Sequence, residues 1–493
     1  MANHPAGTRI FARVLDRIER ASPARLRRLL TWIVVIVMTG LVTHGNYAGS
    51  GDAVHYMVIA RSIAFDRDLD LSNDYSDSSS IIREQPGAHA RPGVDGALRP
   101  VHDVGLPFIS TPVFWAAYHI ASLTDRLPES LRRRAKLNDF ITLRQLLSLF
   151  MIGVTVWLGR LFFDVSSAIT GHKALAFLWA LAWTLSPPIL SHGYVFLTEV
   201  PSALIALMVY SRLDEVNGER PIPRGFLLGM LTGLLILIHV RNAGLMLAFT
   251  GLVAWRVRRA PLRGAGFAAG LFVMGAMKVA LNLQFWGTAI TTPHEHFGAW
   301  ISLGSFVSAS VSSGLGLLFD ARHGLLPSAP IFLLAPAAWW LLARRSRTTG
   351  FEVLLLITAY LVLILNPITN IHGWRGGWSP AARFLVPIAP FLGLAVPLLF
   401  TARKNLAVAG AIVAVQIGLN AFFWEQPMTM WSEGPGPAAF LLSLAGPAFA
   451  AAWPIFDTLT GAILLIAAAI VVVWLSLTWM LVRAATRRAT AIA

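Results

Sequence analysis

Long apolar runs separated by short, arginine-rich breaks dominate this chain. Runs of about 20 apolar residues read as helices that cross a hydrocarbon layer about 30 Å thick. The short alternating segments of a membrane barrel are absent from the pattern. The first run covers about 29–47 and is followed by a polar stretch to about 105, in which Pro86, Gly87, Pro92, Gly93 and Gly96 mark turns. An apolar stretch at 106–124 is interrupted by Pro107 and Pro112. Further spans are predicted near 140–163, 172–190, 194–212, 264–284, 325–343, 351–368, 384–401, 405–424 and 458–482. The pattern predicts an all-α polytopic membrane protein of about 12 transmembrane helices (11–13). Its first extracytoplasmic loop is long and carries interfacial helices.

The region 225–256 is too long for one ordinary span and holds Arg241 at its middle. As one helix it would place that charge at the bilayer centre, at a cost of at least about 2.5 kcal/mol. As two short helices meeting at Arg241 it would place the charge at a membrane face. The hairpin goes together with 106–124 lying in the outer interface as a broken, partly inserted helix, which its two prolines suit. The alternative has 106–124 crossing and 225–256 as a single helix, and puts Arg132, Arg133 and Arg134 inside. The hairpin solution is preferred.

Composition agrees with a membrane chain: 56% of residues are hydrophobic and 13% charged, against about 25% charged in soluble domains. The net charge of +15 invites a nucleic-acid reading. The arginines instead cluster at helix ends, where cytoplasmic loops accumulate them, so no nucleic-acid partner is expected. Arg256, Arg258 and Arg259, then Arg344, Arg345 and Arg347, then Arg403 and Lys404, then Arg483, Arg487 and Arg488 should all be cytoplasmic, provided 438–452 lies on the membrane. There is no cysteine, which excludes disulfides, thiolate metal sites and a cysteine nucleophile. No cleavable signal is evident. The predicted organisation is a basic cytoplasmic N-terminus at 1–28, a transmembrane core at 29–424, and a C-terminal interfacial segment and last helix at 425–493. Outer loops fall at 48–139, containing 106–124, and at 286–324 and 369–383.

Ionisable groups on the outer side are the candidates for chemistry. Asp52 follows the first span at once, with Tyr56 one helical turn later; helix capping is the plainer role for Asp52. Asp66 to Asp74 alternate like the start of a calcium loop but lack its glycine and terminal glutamate. His102 and Asp103 precede the 106–124 segment as site lining or as a turn. Glu199 stands in an apolar region just before Pro201, and an intramembrane carboxylate is a functional candidate by default. His294 and His296 offer two imidazoles at a spacing of two, without the third ligand that zinc needs. Asp320, Arg322 and His323 can simply pair with one another. The 371–383 stretch combines glycines, tryptophans and two arginines, Arg375 and Arg383, that can bind phosphate bidentately.

Four of these elements together resemble the GT-C superfamily of membrane glycosyltransferases, most closely its protein O-mannosyltransferase and aminoarabinose transferase group. They are Gly51-Asp52 with Tyr56, the Glu199-Val200-Pro201 turn, Arg241 between two apolar halves, and Arg383 to Pro387 entering a late span. The resemblance covers 29 to about 400. It implies a polyprenyl-phosphate-linked sugar donor, a lipid, polysaccharide or protein acceptor, and transfer at the outer face of a plasma membrane, a bacterial inner membrane being the expected setting. Asp52 maps to the catalytic carboxylate and Glu199 to a second acidic position. Arg241 and Arg383, helped by Arg375, His294, Tyr56 and His102, would contact the donor's phosphate and sugar. The chain lacks the Lys-Pro-Pro segment of the aminoarabinose transferases, and it has no large soluble C-terminal domain of the kind used for transfer to asparagine. No cofactor is required and no metal is assigned; a divalent ion is compatible but has no support in the sequence. The rival reading is a lipid-linked sugar flippase or other secondary transporter, which also uses buried charges and broken helices. The transferase reading requires Asp52, Glu199, Arg241 and Arg383 to face one outer cavity.

Overall fold

A computed structural model describes residues 6–44, 51–290, 302–366, 374–431, 446, 456 and 460–489. The described residues are mostly helical. The first elements are α1 (Ala6–Arg20), α2 (Pro23–His44), α3 (Gly51–Arg61), α4 (Ser72–Ser76), the strands β1 (Ala90–Pro92) and β2 (Leu98–Pro100), α5 (Gly105–Ser122) and α6 (Glu129–Ala135). Then come α7 (Asp139–Thr170), α8 (Lys173–Thr184), α9 (Ile189–His192), α10 (Glu199–Ser211), α11 (Pro221–Ile238), α12 (Ala243–Val257) and α13 (Ala265–Trp286). The last are α14 (Leu303–Phe319), α15 (Leu325–Ser328), α16 (Ala335–Arg345), α17 (Arg347–Leu365), α18 (Ala389–Gly393), α19 (Arg403–Glu425) and α20 (Gly461–Ala489).

Among the described residues, seven helices are long and apolar enough to cross a membrane: α2, α7, α11, α13 with its preceding turn, α17, α19 and α20. The expected number was about 12. The difference lies in five predicted spans that yield shorter helices, among them the 15-residue α12 and the 325–343 run, which is split between α15, a 3₁₀ turn and the 11-residue α16. The 172–190 and 194–212 runs yield helices of 12 and 13 residues. The 384–401 run, with Pro387, Pro390 and Pro397, becomes two 3₁₀ segments around the one-turn α18. A break of this kind survives in apolar surroundings when other groups satisfy the freed carbonyls. Here Trp183 Nε1 donates to Ala389 O at 3.2 Å, Trp179 Nε1 to Gly393 O at 2.8 Å, and Ser166 Oγ to Leu394 O at 2.8 Å. The expected outer loop 286–324 contains the 17-residue helix α14, and 438–452 lies outside the described residues apart from Gly446.

The helices define two ends. Arg27 pairs with Asp164 at 3.0 Å, Arg345 donates to Thr170 O at 2.6 Å, and Ala174 N donates to Glu19 at 2.8 Å. These contacts bring together the start of α2, the end of α7, the start of α8 and the end of α16. Ser346 carries the chain straight into α17, whose Glu352 takes Arg256 at 2.6 Å. Asn217 donates to Arg256 O and Arg263 to Asn217 O. The α10 end, α11 start, α12 end and α13 start therefore share this basic end. Since α11 starts and α12 finishes there, the two helices form a hairpin, and its turn at Val240–Asn242 lies at the other end with Arg241. Helices α11 and α13 run side by side and very close: a Cβ on Gly229 would stand 2.1 Å from Phe267 O.

Helix α5 packs at both ends on elements of the hairpin end and the start of α7. Gly105 abuts the backbone of Leu237 and Ile238 at the hairpin end, and just past its far end Thr124 meets Thr142 near the start of α7. Helix α7, at 32 residues, is about 48 Å long, well beyond hydrocarbon thickness. Its first half is thereby free to pack on α5. Helix α5 runs continuously through Pro112, so the expected break is absent. Arg132 and Arg133 fall at the non-basic end, where Asp125 and Glu129 pair with them.

Candidate functional site

Arg383 is the hub of the site. Its guanidinium uses three nitrogens on three partners: Nε donates to Glu199 Oε1 at 2.5 Å, Nη2 to Asp52 Oδ2 at 2.6 Å, and Nη1 to Gly376 O at 3.0 Å. Arg383 and Glu199 are buried, at 5% and 4% exposure, while the Asp52 side chain keeps a quarter of its surface open. Each member comes from a different element: the first turn of α3, the first residue of α10, and the start of the broken run after α17. Asp52 can reach Arg383 because Gly51 passes against Trp378; a Cβ at Gly51 would lie 2.7 Å from Trp378 O. Glu199 Oε2 is buried and has no hydrogen-bond partner among the described residues. An unsatisfied carboxylate oxygen in such a place is costly and calls for an explanation.

Arg241 joins through packing. Its guanidinium lies 4.0 Å from the centroid of the Phe384 ring, one residue from Arg383. Asp103 ties the hairpin turn to the first loop, accepting from Val240 N at 2.8 Å and from Lys278 Nζ at 2.5 Å. A cavity of about 30 Å³ lies beside it, lined by His102, Asp103, Lys278, Asn282 and Trp286 among others. None of Asp52, Glu199, Arg241 and Arg383 lines that cavity, so the expectation that these four face one outer cavity is not met by it; Arg383 and Glu199 are instead buried against each other.

On the other side of Asp52 stands a histidine cluster. His89 Nδ1 is 3.8 Å from Asp52 and 2.8 Å from His102 Nε2. His55 stacks on His89 at 3.7 Å and bonds the Tyr75 hydroxyl at 2.8 Å. Burial raises the Asp52 carboxyl, but Arg383 outweighs it, so the group is held well below the usual carboxylate range. Burial pushes His102 down to about 4 and, with the neighbouring His89 and His102, His55 down to about 3. At neutral pH the site therefore holds an ionised Asp52 beside uncharged His55 and His102 rings.

The other expected residues are placed differently. Tyr56 is fully buried against His102, at 5.0 Å between rings, so it forms wall rather than an open contact. Arg375 is exposed and stacks on its neighbour Trp374 at 5.4 Å. His294 and His296 lie outside the described residues. Asp320 is buried as a turn builder, accepting from the backbone of Arg322, His323 and Phe456. In the acidic run, Asp74 and the nearby Asp77 close on Arg61 at 2.5 and 2.7 Å, forming an ion-pair knot. His89, His55 with Tyr75, and Lys278 were not anticipated. The Gly and Pro residues around 86–96 marked turns but no strands, and only the antiparallel register of β1 and β2 shows which side chains meet.

No family model, no curated protein and no solved structure matches this chain.

Proposed function

We propose that the protein is an integral membrane glycosyltransferase of GT-C type. It would move a sugar from a polyprenyl-phosphate-linked donor to an acceptor at the extracytoplasmic face. The observation that carries this reading is the junction of Asp52 and Glu199 on one buried arginine, at the end of the bundle away from the arginine-rich loops. The charge rule favours a cytoplasmic arginine-rich end, and this supports an outer position for the junction.

In the proposed reaction the acceptor hydroxyl oxygen attacks the anomeric carbon and inverts it. The bond from that carbon to the donor phosphate oxygen breaks, and polyprenyl phosphate leaves. Asp52 binds Arg383 through Oδ2, leaving Oδ1 to orient the acceptor and take its proton. Arg383 is committed to the two carboxylates, so its role shifts from phosphate contact to holding them. Arg241, whose guanidinium rests on the Phe384 ring beside Arg383, is the cation proposed to stabilise charge growing on the phosphate. Glu199 Oε2 gives a sugar or acceptor hydroxyl a buried acceptor. The lipid chain would lie along α5.

Labelled polyprenyl-phosphate sugar presented to membranes containing the protein tests this reading. Cleavage to polyprenyl phosphate supports transfer. Intact labelled lipid crossing the bilayer without cleavage supports the flippase reading and overturns this one.

A further inference from the structure

The first loop gathers three metal-competent side chains around one point. Strand β1 pairs antiparallel with β2, setting Ala90 opposite Pro100, and Val101 N donates to His89 O at 3.0 Å. His89 and His102 therefore leave the two arms of one hairpin side by side, against the first turn of α3. Their facing nitrogens are 2.8 Å apart, Asp52 lies 3.8 Å from His89 Nδ1, and the ligand atoms of all three fall within 4.8 Å of one another. All three residues are partly open to solvent. We propose that Asp52, His89 and His102 form a binding site for a divalent transition-metal ion, with zinc the best fit and a coordination position left open.

The donor set selects the metal. Two imidazoles and one carboxylate suit zinc and its first-row neighbours, whereas magnesium and calcium prefer oxygen ligands. Zinc–nitrogen bonds of about 2.0–2.1 Å in a tetrahedron separate ligand atoms by about 3.3 Å. The two imidazole nitrogens would move apart by about 0.5 Å and the Asp52–His89 pair would close by about as much, shifts within the reach of side-chain rotation. Groups outside the set already fix the ligands, as metal sites require. Arg383 holds the second oxygen of Asp52 at 2.6 Å, and the His55 ring, tethered to Tyr75, backs His89. Three protein ligands with a free fourth position is the arrangement of zinc sites that bind water or substrate. This site rests on geometry alone and stands whether or not the protein transfers sugar; a metal on Asp52 Oδ1 would occupy the oxygen that the proposed transfer uses as base, so that reaction belongs to the metal-free form.

The test is titration of the purified full-length protein in detergent with cobalt(II), followed by its visible absorption, and then with zinc. One cobalt should bind per chain and be displaced by zinc. His89→Gln and His102→Gln should each weaken binding at least tenfold, while His172→Gln, just before α8 at the basic end of the bundle, should retain it. Gel filtration and thermal melting establish that each variant is folded. Should one histidine variant fail to fold, the other carries the test. Absence of stoichiometric cobalt or zinc uptake by the wild type would overturn the proposal, and so would uptake that the folded histidine variants retain. The readout is binding, so a failure of the proposed transferase activity leaves it intact.

Discussion

Arg383 shows what one residue can impose on a site. A guanidinium buried to 5% exposure needs its charge compensated, and two carboxylates from distant parts of the chain do so. Breaking a buried ion pair by removing one partner costs about 3–5 kcal/mol, because the other charge is stranded. Glu199→Ala should therefore lower the thermal melting temperature of the purified protein markedly. Glu199→Gln, which keeps an acceptor for Arg383 Nε, should lower it less. Equal melting for wild type and Glu199→Ala would show that the pair contributes nothing. Asp52, Glu199, Arg241 and Arg383 were legible in the sequence because each interrupts or borders an apolar run where a charge is expensive. His89 was not, since nothing in its immediate neighbours says that residue 102 will stand beside it. The role of Arg383 was also hidden: sequence offers a phosphate-binding arginine, while the structure shows its nitrogens already committed.

At the scale of elements, the hairpin of α11 and α12 could be read from one charged residue and the cost of burying it. The broken run after Arg383 could not, because its apolar pattern is that of a span, and the Trp179, Trp183 and Ser166 partners that permit the break come from distant helices. Helix α14 escaped for a related reason: its serines and glycines dilute the apolar signal. The first loop makes a prediction of its own about pH. His55 and His102 are held at about 3 and about 4 against an ordinary 6.5, so the folded loop refuses two protons that the unfolded loop accepts. Their contribution is present above pH 6.5 and is lost as pH falls from there towards 4. Burial raises Asp74 to about 6, which acts oppositely and adds stability as pH falls through 6 to 3.8. Two histidines outweigh one carboxylate, so the net effect of acid is destabilising. Hydrogen exchange of residues 51–104 in metal-free protein, corrected for intrinsic rates, should show less protection at pH 5 than at pH 7.5. Unchanged or greater protection at pH 5 would contradict this.

At the scale of the whole molecule, the all-α membrane class was legible from hydrophobic run length; of about twelve spans expected, seven helices among the described residues have the length and apolarity of a span. Several runs are shared between short helices that lean on one another. The two ends of the bundle give the sidedness claim a direct check, because the chain contains no cysteine and any introduced one is unique. Arg133→Cys and Arg258→Cys, labelled with a membrane-impermeant thiol reagent in sealed vesicles of known orientation, should react from opposite faces. Labelling from the same face would remove the outer position of Asp52. The central claim is that Asp52 sits at a site of sugar transfer, and one measurement meets it head-on. Purified wild type and Asp52→Asn in proteoliposomes are given polyprenyl-phosphate sugar and acceptor-containing membrane extract, and released polyprenyl phosphate is quantified. The account predicts release by the wild type and a loss of about 10²–10⁴-fold in folded Asp52→Asn, the range for a positioned acid–base group. Equal release by the two proteins, or intact lipid crossing with no release by either, would contradict it.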